Sequence, residues 1–410
     1  MNSEQIFGLA LGLVTPWQVE GVELRQDDSG VKELHLTIGF APGSRFMDRH
    51  GQACPVHDRV ERSWQHMSFF EHVCYLHCRV PRITTSDGRV ETVQVPWARE
   101  NSRFTLLFEA FTMALIEREM PVSRVSGMLK VNAHRIWGVF KHWIDDARSR
   151  DNPAAITRLG VDETSSRKGH QYITIGVDMD AGRLIHAVPG KGQETLQAIG
   201  CYLASHEVKP QQIAEISMDM SPAFIAGAAK TFPKAKITFD RFHVVKLLNE
   251  AMDKLRQLEQ KECKLLKGHK YIFLRNWENL SDKRRLTLGR LTDMYPTIGD
   301  GYRLKVLFNE IWQLPSRESA EAHLKDWMQE VEKAAIQPFM QFAKTVKAHW
   351  SGIVRFFDSR LTNGILEGMN HKIQLAKRRA RGYRNIQNFI NMAYFLCGKL
   401  DFSYPRWAAR

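Results

Sequence analysis

The chain has 410 residues, room for two or three domains at ~150 residues each. Apolar residues make up 43%, enough for sizeable cores, and 58 Lys and Arg against 45 Asp and Glu leave a net charge of +13, an excess that favours a polyanion such as nucleic acid or an anionic membrane surface. No stretch is continuously apolar for ~18 residues, which excludes a membrane span, and Met1–Pro16 lacks the basic start of a signal peptide.

Six cysteines in a chain of this length argue for a reducing compartment and against a disulfide framework. A basic, cytoplasmic protein lying with the nucleoid, with DNA or RNA as its partner and no membrane, is the expectation.

Residues 1–100 read as a β-rich region. Lys32–Ile38 alternates polar and apolar residues as a half-buried strand does, Val19–Leu24 does so more loosely, and β-like sequence runs on to Val93–Trp97. From Ser102 the period becomes helical, with Phe104, Leu107, Phe108, Phe111 and Leu115 in one stripe. Pro121 opens a short helix to Leu129. Lys130–Asn132 is a turn, and Asn132 can N-cap a third helix carrying Ile136, Val139, Phe140, Trp143 and Ile144. Two short helices across a three-residue turn, after a longer one, make a helix-turn-helix. Arg135, Lys141 and His142 are its DNA-contact candidates. The alternative is an ordinary three-helix core.

Arg148–Pro153 is a polar linker. Strands follow at Arg158–Asp162, Gln171–Asp178 and Arg183–Val188, with a polar hairpin Thr164–His170 between the first two. Then come a helix Glu194–Ala204, a strand Ile213–Asp219, a helix from Ser221-Pro222 to Phe232, a strand Lys236–Asp240 and a helix Phe242–Gln260. Three strands, helix, strand, helix, strand is the order of the RNase H-like fold. Residues 261–358 are helical, with a stripe at Ala320, Leu324, Trp327, Met328, Val331 and Ala335, and read as an all-α insertion. Gly364–Lys377 is a late helix that returns to the sheet.

Asp162 ends or nearly ends the first of these strands and Asp219 ends the fourth. Strands one and four of this order are neighbours, so the two carboxylates meet. Glu367 lies one turn into the late helix, on one face with Asn363 and Asn370. Three acidic ligands on rigid elements can bind two Mg²⁺ ions ~3.5–4 Å apart, and such hard ions want oxygen ligands. A lone Asp at a strand end is usually a turn or cap residue, which is the reading for Glu163, Asp178 and Asp180. Asp162, Asp219 and Glu367 differ by their joint placement on converging elements. After Glu367, Gly368–Leu400 carries Lys372, Lys377, Arg378, Arg379, Arg381, Arg384 and Lys399 and no acid. That run suits a phosphate backbone, with a solvated basic face as the alternative.

Five motifs occur in order over nearly the whole chain: Gly-Val-Asp-Glu-Thr-Ser (160–165), Met-Asp-Met-Ser (218–221), Asp-Arg-Phe-His-Val-Val-Lys (240–246), Thr-Asn-Gly-Ile-Leu-Glu-Gly-Met-Asn (362–370) and Lys-Arg-Arg-Ala-Arg-Gly-Tyr-Arg-Asn (377–385). Together they resemble the ISL-three family of bacterial insertion-sequence transposases. The resemblance implies an RNase H-like catalytic core with Asp162, Asp219 and Glu367 as its triad, and an N-terminal zinc ribbon and helix-turn-helix that bind the element's inverted repeats. Asp240-x-x-His243 matches a motif seen after the fifth strand in transposases with helical insertions, and is expected to support the site rather than ligate metal.

One feature departs from the family. The Cys54/His57 pair is normally answered by a second Cys/His knuckle, which here falls on Thr84–Gly88 with neither ligand. Cys74, His77 and Cys78 are near enough in sequence to substitute, although in a strand Cys74 and Cys78 face one way and His77 the other. Zinc held by Cys54, His57, Cys74 and Cys78, and a metal-free ribbon that keeps the cysteines as core, both stand.

The expected fold is therefore multidomain α+β. A β-rich zinc-ribbon-like module (1–100) and a helix-turn-helix (101–152) precede an RNase H-like α/β core (153–260). An all-α insertion (261–358) separates that part from the final core helix and basic tail (359–410). The expected activity is cleavage of element ends and joining of the 3′-OH to target DNA, by at least two protomers acting on paired ends. The rivals are an RNase H-like nuclease without strand transfer and a non-enzymatic DNA-binding protein derived from a transposase.

Overall fold

The computed structural model describes residues 2–26, 30, 32–167, 169, 171–262 and 264–405. It divides into two compact units, Met1–Ser149 with Asp401–Arg410, and Arg150–Leu400.

The first unit opens with α1 (Ser3–Ala10), closed by a reciprocal Asn2–Gln5 capping box, where the sequence reading had no element. Strands follow as β1 (Trp17–Gln26), β2 (Lys32–Phe40), β3 (Phe46–Met47), β4 (Ala53–Cys54), β5 (Val56–Phe69), β6 (His72–Thr84) and β7 (Val90–Thr92). The main sheet has the order β1-β2-β6-β5 with β7 also on β6, and β3 pairs with β4 separately. The period-2 pattern explains the pairing: Leu34, Leu36 and Ile38 sit opposite Cys74, Leu76 and Cys78 on the buried face. Trp64 and Trp97 pack into the same core. Val93–Trp97 is not a strand; pairing ends at Thr92, and Val95 and Trp97 reach the core from a loop.

This arrangement corrects the zinc expectation. Cys74 and Cys78 are four residues apart on one strand, hence ~13 Å at ~3.3 Å per residue, too far to share one ion. Burial pushes both thiols up to about 12, and both pack in the apolar core of the sheet. Cys54 is buried on β4, where its Sγ donates to the Gln52 carbonyl at 3.4 Å, and His57 is exposed on β5. Asp48 links the two loops instead. One carboxylate oxygen accepts the N–H groups of His50 and Gln52 (2.9 and 2.8 Å), and the other accepts the N–H and hydroxyl of Ser86 (3.4 and 3.1 Å).

Three helices complete this unit: α2 (Leu106–Glu117), α3 (Val122–Leu129) and α4 (Ala133–Ser149). Thr105 caps α2 by accepting from Phe108 N–H, and Asn132 accepts from His134 N–H at 2.8 Å at the start of α4. Phe108, Leu115, Val125, Ile136, Phe140 and Ile144 close the three-helix core. Leu107 falls off the expected stripe and is exposed, because Phe104, Phe108 and Leu115 already define the buried face. The helices are joined to the sheet through Thr105 N–H, which donates to the Gln65 carbonyl, and Gln65 N–H, which donates to the Arg103 carbonyl. Ser403 and Tyr404 belong here too: the Ser403 hydroxyl donates to Asp146 and the Tyr404 ring meets Trp143 edge-on.

The second unit runs β8 (Arg158–Arg167), β9 (Gln171–Asp178), β10 (Arg183–Pro189), α5 (Gln193–Ser205), β11 (Glu215–Met218), α6 (Pro222–Thr231), β12 (Lys236–Phe239) and α7 (Arg241–Glu259). Its sheet order is β10-β9-β8-β11-β12. The first three strands are antiparallel, and β11 lies parallel to both β8 and β12. β8 does not end at Asp162. Thr164 and Ser166 are buried, and pairing with β9 continues to Arg167. Lys168 and His170 of the expected hairpin lie outside the described residues.

Helices α8 (Lys270–Leu274), α9 (Asp282–Met294), α10 (Pro296–Glu310), α11 (Arg317–Ala334), α12 (Gln337–Ala348), α13 (Trp350–Val354) and α14 (Phe356–Ser359) follow. Ala320, Leu324, Trp327 and Val331 of α11 are buried, with Phe308 and Phe342 edge-on to Trp327, and Met328 is partly buried. Ala335 leaves the stripe: it is exposed and caps α11 in the left-handed conformation. The unit closes with α15 (Gly364–Arg379) against β8 and α16 (Ile386–Cys397) against β10. Gly160 permits the first contact, since a Cβ there would stand 3.1 Å from Leu366 and closer still to Met179.

Candidate active site

In the parallel part of this sheet, Gly160 of β8 is level with Ser217 of β11, and Ser217 with Thr238 of β12. Two residues further along stand Asp162, Asp219 and Asp240. Neighbouring strands are ~4.8 Å apart, so three carboxylates converge at one edge of the sheet.

Each carboxylate is held by its surroundings. Asp162 accepts its neighbour Glu163 N–H at 2.8 Å on one oxygen and the Asn370 side-chain amide at 2.6 Å on the other. Asp219 accepts Ser221 N–H at 3.0 Å. Asp240 is buried and fully engaged: it caps α7 by accepting Phe242 N–H at 3.0 Å, and its other oxygen accepts from His243 Nδ1 at 2.9 Å. Both the cap and the His243 partnership expected of Asp240 are thus present.

Helix α15 is stitched across two strands. Asn363 is buried and accepts from the Ser217 hydroxyl at 2.5 Å on β11. Asn370 reaches Asp162 on β8, and Gln374 donates to the Thr164 hydroxyl and the Ser165 carbonyl, each at 2.8 Å. Glu367 lies between these fastenings, four residues after Asn363 and three before Asn370, at the solvent edge of the same helical side, and is exposed.

The electrostatics follow from crowding. Burial is the main force that pushes Asp162 up to about 6, and the carboxylates of Asp240 and Asp219 add to it. The hydrogen bond to Asp240 is the chief reason that His243 is shifted upward, with the Asp219 and Asp162 charges acting the same way. Among the described residues, no three Asp, Glu, His or Cys groups come close enough to hold an ion by themselves. The donor set still suits a hard divalent cation. The available ligands are carboxylate oxygens, and the Asn370 side-chain oxygen beside Asp162 is buried without a hydrogen-bond partner.

The profile of a family described as Transposase matches residues 159–393, and that of the helix-turn-helix domain of transposase family ISL3 matches residues 93–144. The chain belongs to the ISL3, or ISL-three, family of transposases. It is 26% identical to the transposase for insertion sequence element IS1557 of Mycobacterium tuberculosis, over 96% of this chain and 95% of that one. It is also 26% identical to the transposase for insertion sequence element IS1001 of Bordetella parapertussis, over 91% and 94%.

In this transposase the sequence-derived DNA contacts differ in availability. Arg135 is exposed in the first turn of α4, its guanidinium held over the Phe104 ring at 4.3 Å. Lys141 is ion-paired with Asp145 on its own helix. His142 packs against Trp143, and burial lowers its pKa. In the late basic run Lys372, Arg378, Arg379, Arg381 and Arg384 are exposed. Lys377 is not a free cation: it is half-buried and donates to the Ser165 carbonyl, fastening α15 to β8.

Glu163 departs from the turn or cap reading, since β8 runs on past it. Asp178 and Asp180 are turn and ion-pair residues as expected, with Asp178 accepting from Asp180 and Ala181 N–H and Asp180 paired to Arg158. Glu163 instead stands half-buried in β8, raised in pKa by burial and in the field of Lys191, Asp219, His243 and Lys246. Lys246 was legible, since it follows His243 by three residues on α7 and shares its side; Lys191, in the loop before α5, carried no such signal. No helix of the described residues is long and apolar enough to cross a membrane.

Proposed function

We propose that the second unit is an RNase H-like core which cleaves the ends of an insertion sequence and joins the freed 3′-OH to target DNA. Asp162, Asp219 and Glu367 would hold two Mg²⁺ ions. The observation that carries this reading is the level of Asp162 and Asp219 on adjacent strands, with the helix bearing Glu367 fastened to both. The ions, when bound, activate the attacking oxygen and stabilise the leaving one.

The chain's own residues do the positioning. Asn370 orients Asp162, and Asn363 and Asn370 fix the helical turns on either side of Glu367. Asp240 holds His243 beside Asp162 and Asp219, where an imidazolium can meet a phosphate oxygen. The exposed Lys372, Arg378, Arg379, Arg381 and Arg384, on α15 and just after it, track the DNA backbone. In the first unit α4 enters the major groove of the inverted repeat, with Arg135 at its leading turn. Two protomers act on paired ends, and the domain divisions are those expected from the sequence, with the zinc site removed.

The test is a Mg²⁺-dependent cleavage and joining assay on end DNA. Asp162→Asn, Asp219→Asn and Glu367→Gln should each abolish both steps and leave DNA binding intact. A variant that joins at a near-wild-type rate removes that residue from the site. Cleaved ends without joined product would favour a nuclease.

A further inference from the structure

A second basic stretch of the chain lies away from the carboxylates. From Lys254 to Arg290 there are eleven Lys or Arg against four Asp or Glu, an excess of seven out of the chain's +13. The segment covers the end of α7, then α8 and the start of α9, and it is folded together. Lys270 pairs with Asp253 of α7, and Arg285 of α9 donates to the Trp277 carbonyl. Lys254, Lys261, Lys264, Lys267, Arg275 and Lys283 are all exposed, and no ion pair engages them among the described residues.

Two large aromatic side chains lie among these cations and are not packed away. Tyr271 is 69% exposed and Trp277 is 46% exposed. The Arg285 guanidinium stands 5.8 Å from the Trp277 ring centre, and Arg285 also donates to the Glu278 carbonyl, so the loop carrying Trp277 is held against α9. Exposed π faces interleaved with lysines are the composition of a surface for nucleic-acid backbone and unstacked bases. A solvated charged face would not need the aromatics.

The geometry points to a second DNA surface on this helical segment, one that grips the DNA beyond the scissile bond, outside the element. The inference rests on the transposase reading above. Two arguments choose this DNA. The exposed cations from Lys254 to Lys270 are all lysines, point charges on flexible stems that neutralise phosphates without reading bases, and DNA outside the element has no fixed sequence. Helix α7 also starts at Asp240, beside the site, and reaches Lys254 fourteen residues later, ~21 Å away at 1.5 Å per residue. That span is ~6 base pairs of duplex at 3.4 Å each.

The experiment uses the full-length protein with end duplexes carrying no flank or ~12 base pairs of flank, with Ca²⁺ in place of Mg²⁺ to hold the DNA uncut. The wild type should bind the flanked duplex about ten-fold more tightly. Lys264→Ala with Lys267→Ala should remove that preference and lower the salt slope on flanked DNA by ~1.8, about 0.9 per lost phosphate contact. Both proteins should bind the flush duplex equally. Trp277→Ala should weaken binding of a flank with unpaired bases near the junction about ten-fold and leave the fully paired flank unchanged. All these residues are exposed, and unchanged melting curves will show that the fold is kept. No flank preference in the wild type, or an equal loss on flush and flanked DNA in the double variant, overturns the inference. Failure of the wild type to bind either duplex would overturn the transposase reading, and this inference with it.

Discussion

Asn370→Ala isolates the fastening on which the candidate site depends. The Asn370 amide donates to Asp162 at 2.6 Å, and a hydrogen bond to a charged group contributes ~1.5–3 kcal/mol. If that bond aligns Asp162 with the helix bearing Glu367 in the transition state, ten-fold per ~1.4 kcal/mol gives a fall in cleavage of ~10–100-fold. Gln374→Ala is the matched control. It removes two hydrogen bonds to β8, one turn further from the carboxylates, and should loosen α15 with a much smaller loss of rate. The assay is single-turnover cleavage of a saturating end duplex across a Mg²⁺ titration, with melting temperature measured in parallel. The Asn370 variant should need more Mg²⁺ and stay slower at saturation. Wild-type cleavage by Asn370→Ala at every Mg²⁺ concentration would refute the reasoning, as would an equal defect in the Gln374 variant.

Lys305 is fully buried among the helices, and desolvation lowers it to about 8 from 10.5. The unfolded chain therefore binds the extra proton between those values: the cost of burying Lys305 is absent above about 10.5 and grows to ~3 kcal/mol as pH drops to about 8. Lys305→Met should raise stability at pH 7 by ~1–3 kcal/mol and flatten that pH dependence in urea unfolding, since Tyr302 still donates to the Arg275 carbonyl that Lys305 now serves. Zinc should be absent from the purified protein by elemental analysis, and a strong chelator should leave the melting curve unchanged, whereas Asp48→Ala should lower it by removing a carboxylate that joins two loops; stoichiometric zinc would overturn the correction. Arg135→Ala should weaken end binding, with ~1–3 kcal/mol of discrimination lost if a base is read, as measured by competition between inverted-repeat and random duplexes.

Local chemistry made much of this protein legible. The alternation in β2, the stripe in α4, the Asn132 cap and the order of strands and helices in the second unit are short-range patterns, and a period or a cap acts within a few residues. So is the i, i+4, i+7 spacing of Asn363, Glu367 and Asn370, which puts them on one side of a helix wherever that helix docks. The errors came where a partner distant in sequence decides the outcome. β8 runs past Asp162 because β9 pairs with it, a gain in hydrogen bonds invisible to a window of polar residues. Cys74 and Cys78 look like ligands by type and spacing, but their strand is extended, which separates them, and a parallel neighbour buries them. Nor did the sequence signal that Lys377, part of the basic run, also donates to a carbonyl of β8. What the sequence determined by itself is which elements form and which side chains each can present. Only the tertiary structure decided which of them meet, because register and burial are set by the whole sheet and its covering helices: Asp162, Asp219 and Asp240 at one edge, Glu163 drawn in beside them, and the cysteines withdrawn into the core.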